Sequence, residues 1–180
     1  MIYLIGGSIR TGKSSLAKKI LQEKCVSVFS TDLLVGMLKD YVSKQTNKDQ
    51  RSYIIQKAVN LFPELKKLIE LNLELGNSDY VYEGDIILPE FVAQLDLKSP
   101  WKACFLGLEV IDVVTLRSNI GDHKWVNNLS DFEVSELCGR IISDSKYIKD
   151  SCTKFGLKYF DLSNDYDRSQ SLAYEFLTGI

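Results

Sequence analysis

Two glycines and a lysine constrain this chain more than any other feature. Gly7-Ser8-Ile9-Arg10-Thr11-Gly12-Lys13-Ser14 keeps the spacing G-x-x-x-x-G-K-[ST], the pattern of a phosphate-binding loop. Ahead of it runs Ile2-Tyr3-Leu4-Ile5, apolar as a strand buried on both faces should be. Behind it lies Ser15–Leu21, in which Leu16, Ala17, Ile20 and Leu21 share one helical face. A strand, a glycine-rich turn and a helix in that order point backbone N–H groups and a helix N-terminus at one anion. Gly7 and Gly12 let the backbone approach a phosphate without a Cβ in the way. In such a loop Lys13 reaches the β- and γ-phosphates and the Ser14 hydroxyl ligates Mg²⁺. Gly7 through Ser15 is the expected nucleotide-binding set.

Composition removes several other classes. The 180 residues, 45% hydrophobic and 26% charged, suit one domain with a proper core. A net charge of −2 argues against nucleic acid or an anionic membrane held by a general basic field. Cys25, Cys104, Cys138 and Cys152 show no metal-ligand spacing with the lone His123, so buried free thiols in a reducing compartment are expected. No apolar run approaches the roughly 18 residues of a membrane span. The strand and loop occupy the first residues, which leaves no room for a signal peptide, and a cytoplasmic protein is expected.

Read onward, Cys25–Phe29 is a second strand and Leu33–Tyr41 a helix, followed by a polar loop at Ser43–Asp49. Arg51–Phe62 is amphipathic, and Pro63 is expected to open a further helix that Gly76-Asn77 stops. This helical excursion, about residues 33–77, is too long for a minimal crossover and reads as an insertion shaping a substrate site. Tyr80–Tyr82, Trp101–Leu108 and Lys158–Leu162 complete five strands. Short helices are expected from Pro89 and from Val110, a long one over Phe132–Phe155 and a last one over Ser169–Leu177. The polar stretch at about 118–131 reads as a lid. The alternation predicts an α/β fold of the P-loop NTPase type, a doubly wound five-stranded parallel sheet with helices on both faces.

Ligands gather at the C-terminal ends of such strands. There Asp32 can deprotonate a substrate hydroxyl, or simply cap the helix that follows. Glu83 and Asp85 follow the third strand, where an acid orients Mg²⁺; Glu83, directly after the strand, is preferred, and both can face the substrate. Arg117 meets the lid stretch and can reach the γ-phosphate, or sit as an exposed cation at a helix end. Arg140 is a lid residue or a surface ion-pair partner. Arg51 binds substrate from the insertion or lies on a solvated face.

The chain resembles the P-loop small-molecule kinases, the group of adenylate, shikimate, gluconate and uridine kinases. Asp32, Tyr82–Glu90 (YEGDIILPE) and Lys158–Ser163 (KYFDLS) are similar to uridine-kinase-like and 2-phosphoglycerate-kinase-like proteins. The resemblance implies Asp32 as base, Glu83 near metal and substrate, and an arginine-bearing lid, here Arg117 and Arg140. It departs from shikimate kinases in lacking a glycine-rich second substrate loop, and from adenylate kinases in lacking the Asp-Gly-x-Pro-Arg lid signature. The expected activity is ATP- and Mg²⁺-dependent transfer to a small hydroxyl- or phosphate-bearing metabolite. The rival expectation is an ATP-binding switch or NTPase with no small-molecule acceptor.

Overall fold

The structure is a computed structural model that describes residues 1–38, 50–76, 79–119 and 124–179, without the side chains of 50–53 and 124. Its centre is β1 (Ile2–Gly7), buried along all six residues. Parallel pairing joins β1 to β3 (Tyr80–Glu83) on one side and β4 (Trp101–Gly107) on the other. β2 (Ser27–Ser30) and β5 (Lys158–Asp161) form the edges, giving the order β2-β3-β1-β4-β5. The expected five-stranded, all-parallel sheet with flanking helices is observed.

Period-two alternation divides the interior into two cores. Tyr3 and Ile5 face one, with Leu16, Ala17 and Ile20 of α1 (Lys13–Lys24) and Ala173, Tyr174 and Leu177 of α7 (Tyr166–Thr178). Ile2 and Leu4 face the other, against Ala58, Leu61, Leu65 and Ile69 of α3 (Gln50–Glu74). The long α6 (Asp131–Phe155) serves both. Val134, Leu137 and Ile141 enter the first core, and Ile148 and Cys152 the second. The helix therefore crosses from one face of the sheet to the other. The remaining helices are α2 (Thr31–Met37), α4 (Pro89–Val92) and α5 (Val113–Ser118), and Lys124–Asn128 forms a 3₁₀ turn. Among the described residues no helix is long and apolar enough to cross a membrane.

Three expectations require correction. Pro63 does not open a helix; it lies inside the continuous 25-residue α3. A proline there costs about 3 kcal/mol. Burying Leu61, Phe62, Leu65 and Ile69 on one uninterrupted face is worth roughly 1.5–3 kcal/mol each, so packing outweighs the break. The second strand starts at Ser27 because Cys25 takes the left-handed C-cap of α1 (φ 54°), its N–H donating to the Leu21 carbonyl at 3.0 Å. That position also leaves Cys25 exposed, so only three of the four thiols are buried. The expected loop at 43–49 lies outside the described residues, as does 120–123 of the expected lid.

Burial disfavours the thiolate. It pushes Cys152 up to about 12, and it raises Cys104 and Cys138 as well. In native protein, a disulfide reagent at neutral pH should therefore modify Cys25 within minutes and spare the other three until denaturant is added. Fast modification of two or more thiols in the folded state would contradict this packing.

Candidate functional site

Gly7 ends β1, and the chain then folds back over the C-terminal edge of the sheet. The Ser8 N–H donates to the Leu106 carbonyl at 3.1 Å, which fastens the loop to β4. The Ser8 carbonyl accepts from Thr11 Oγ1 at 2.8 Å and from Lys13 Nζ at 2.7 Å; the ammonium also donates to the Gly7 carbonyl at 3.2 Å. Arg10 holds a left-handed backbone (φ 65°), and its guanidinium donates to the Asn119 carbonyl at 2.8 Å. Gly12 is left-handed too (φ 77°), and a Cβ there would stand 2.0 Å from the Tyr166 hydroxyl. Gln170 of α7 donates to the Gly12 carbonyl at 3.2 Å.

The start of α1 is electrostatically open. No side chain caps it, and its first turn carries no acidic residue. By contrast α2, α5, α6 and α7 are capped by Ser30, Asp112, Ser130 and Asp165. The free N–H groups and the positive end of the helix dipole at Lys13–Ser15 thus remain available to an anion. Burial pulls the Lys13 ammonium below its usual range, opposed by the carboxylates of Asp85, Glu83 and Asp32 in that order. The fields of three acids thus meet at one lysine.

Each acid arrives from a different constraint. Asp32 lies in the first turn of α2, exposed, while Ser30 caps that helix by accepting from the Asp32 N–H. The capping role considered for Asp32 thus belongs to Ser30. Glu83 is the last residue of β3, only 5% exposed, registered between Ile5 and Ser30. Gly84 follows with φ 149°, where a Cβ would fall 1.7 Å from Thr31 Oγ1. Asp85 pairs with Lys57 of α3 at 3.1 Å, a mostly buried contact. Asp32, Glu83 and Asp85 line the same crevice as Arg10–Ser15, an open space of about 1180 Å³. A nucleotide and a small second molecule fit that volume.

The arginines divide. Arg140 lines the crevice. Arg117 is bound to Asp131 at 2.7 Å and to the carbonyls of Leu129 (2.8 Å) and Val126 (3.4 Å), bracing the turn that leads into α6. For Arg117 to meet a phosphoryl group, that brace would have to open. The Arg51 backbone is helical, and its side chain lies outside the described residues. Lys57, Ser145, Tyr166 and Gln170 all touch the site and were not anticipated. Lys57, Ser145 and Gln170 stand within helices and Tyr166 opens α7, in patterns that read as solvated or packing positions, and no local signal marks them.

No family model matches the chain, and no curated protein matches it. Solved structures do. Shikimate kinase from Bacteroides thetaiotaomicron superposes with a TM-score of 0.56 at 13% identity, covering 97% of both chains. Deoxyadenosine kinase from M. mycoides gives 0.55 at 15% identity over 100% of both chains. A gluconokinase from Sinorhizobium meliloti 1021 gives 0.51 at 13% identity, over 96% of this chain and 89% of that one. This chain has the fold of the P-loop small-molecule kinases.

The left-handed backbone at Gly12 and its contact with Tyr166 carry a consequence for stability. Gly12→Ala should destabilise the protein by about 1–3 kcal/mol in a denaturant titration. An unchanged midpoint would mean that the loop does not hold this geometry.

Proposed function

We propose that this protein transfers the γ-phosphoryl group of ATP to a small hydroxyl- or phosphate-bearing metabolite. One observation carries the reading: an uncapped helix N-terminus with its lysine shares a single crevice with three carboxylates, from β3, the segment just after it and α2. The structural kinship to small-molecule kinases supports it.

The residues fit Mg²⁺ as it travels with a nucleotide. Among the described residues no three His, Cys, Asp or Glu side chains gather into a ready-made metal cage. Mg²⁺ seldom uses one; it takes one or two protein oxygens and completes its shell with phosphate and water. The exposed Ser14 hydroxyl and the Glu83 carboxylate would hold it, and its charge would screen the phosphates. Lys13 exchanges the Gly7 and Ser8 carbonyls for phosphate oxygens, which compensate the burial of its ammonium far better. The N–H groups of Gly12–Ser15 cradle the remaining oxygens. Arg140, on the crevice wall, neutralises charge on the transferring group. Asp32, exposed at the mouth, orients the acceptor and takes the proton of a hydroxyl. Asp85 and α3 shape the acceptor side, where Ile54, Ile55 and Leu88 form an apolar floor beside Asp144 and Tyr147.

Two outcomes test the reading. Mg·ATP at about 100 times Kd should stabilise the fold by roughly 2.7 kcal/mol. At roughly 2–4 °C per kcal/mol for a chain this size, Tm rises by several degrees, and Lys13→Ala should abolish most of the rise. No shift with millimolar ATP or ADP would sink nucleotide binding. Asp32→Asn removes a base but not a cap, since Ser30 caps α2. In a transfer screen across a metabolite panel, it should cut single-turnover transfer to a hydroxyl acceptor at least about 100-fold with little change in ATP affinity. Wild-type transfer by that variant would place the base elsewhere.

A further inference from the structure

The two serine hydroxyls of Ser8 and Ser145 meet at 2.8 Å, although 137 residues separate them in the chain. Both are buried, Ser8 at 3% and Ser145 at 0% exposure. Ser145 Oγ also accepts the Leu108 N–H at 2.8 Å, the amide just beyond the end of β4. One hydroxyl thus ties α6 both to the phosphate-binding loop and to the neighbouring strand end. Its place in the helix explains why. Ile141, four residues earlier, packs in one core, and Ile148, three residues later, packs in the other. Ser145 stands where α6 passes over the C-terminal edge of the sheet, beside the point at which β1 becomes the loop.

Every polar group of Ser8 is engaged. Its N–H goes to Leu106, its carbonyl takes Thr11 and Lys13, and its hydroxyl meets Ser145. The peptide that aims the Lys13 ammonium is thereby held from three directions, two of them set by strand and loop and one by α6. The same helix carries Arg140 on the nucleotide crevice, and Asp144 and Tyr147 on the acceptor side.

We propose that Ser145 is a positioning residue: through Ser8 it holds the loop in the phosphate-binding arrangement before any ligand arrives. The proposal rests on the nucleotide site assigned above, and wild-type ATP binding is the control for that assignment. With Ser145 removed, the loop samples other arrangements, and ATP binding must supply the cost of ordering it.

The test is calorimetric titration of Mg·ATP into the wild type and into Ser145→Ala, Ser145→Thr, Ser8→Ala and the Ser8→Ala/Ser145→Ala double variant, with Tm recorded for each. One buried hydrogen bond corresponds to roughly a three- to tenfold change in an equilibrium constant. Ser145→Ala and Ser8→Ala should each weaken ATP by about that factor, and the double variant no more than Ser145→Ala alone, because the two share the Ser8–Ser145 contact; the Leu108 N–H that Ser145→Ala also leaves without its acceptor should show in Tm. Ser145→Thr keeps the hydroxyl but adds a methyl where no space is open. It should lower Tm and yet retain ATP affinity, separating positioning from stability. Wild-type affinity in Ser145→Ala, or losses that multiply in the double variant, would overturn the proposal. So would equal losses in Thr and Ala, which would mean that packing alone matters. Ser8→Ala keeps the test open if Ser145→Ala fails to fold. If the wild type itself binds no ATP, the nucleotide site fails and this proposal falls with it.

Discussion

The central strand is the constraint on which everything else depends. β1 is hydrogen-bonded on both sides and buried on both faces, so its backbone has no freedom of register. A one-residue slip would exchange Ile2 and Leu4 with Tyr3 and Ile5 between two differently shaped cores. Because that register cannot move, neither can the point at which the chain leaves the sheet. The turn at Gly7 falls between the ends of β3 and β4, and the helix after it must start over the same edge. The position of the glycine-rich loop follows from the packing of hydrocarbon several residues away.

On that edge the balance of charge is local. Partial burial of a lysine is costly, and here the cost is offset by two carbonyls and three nearby carboxylates. The hydrogen bonds that hold the ammonium run to the Gly7 and Ser8 carbonyls rather than to a carboxylate. The Lys57–Asp85 pair differs: it is mostly buried, joins α3 to the segment after β3, and fixes one wall of the crevice. The two lysines illustrate a division between a charge kept available and a charge spent on structure. Arg140 and Arg117 divide in the same way, the first on the crevice wall and the second locked to Asp131.

The likeness of fold to shikimate kinase, deoxyadenosine kinase and gluconokinase at 13–15% identity is intelligible on these terms. What the architecture requires is a pattern: an apolar central strand, two glycines with a lysine, and an acid at the next strand end. Many sequences meet it. The other wall of the crevice is built from α2, α3 and the segment after β3, which that pattern does not constrain.

The sequence by itself determined the sheet, its parallel sense, the loop and the acids at the strand ends. These depend on contiguous residues: Ile2–Ile5 reads as a strand because consecutive apolar residues suit burial on both faces, and Gly7–Gly12 reads as a loop because its glycines let adjacent backbone units turn together. Helix boundaries were less legible. Pro63 carries a strong local signal to start a helix, and only the continuous face formed by Leu61, Leu65 and Ile69 against the sheet overrides it. Asp32 sits where a capping residue would, and only the backbone shows that Ser30 has taken that role. Ser145, Lys57 and Gln170 were invisible for one physical reason. Each meets its partner across 28 to 159 residues of chain, and such a contact exists only after two cores have settled the height and crossing of the helices that carry them.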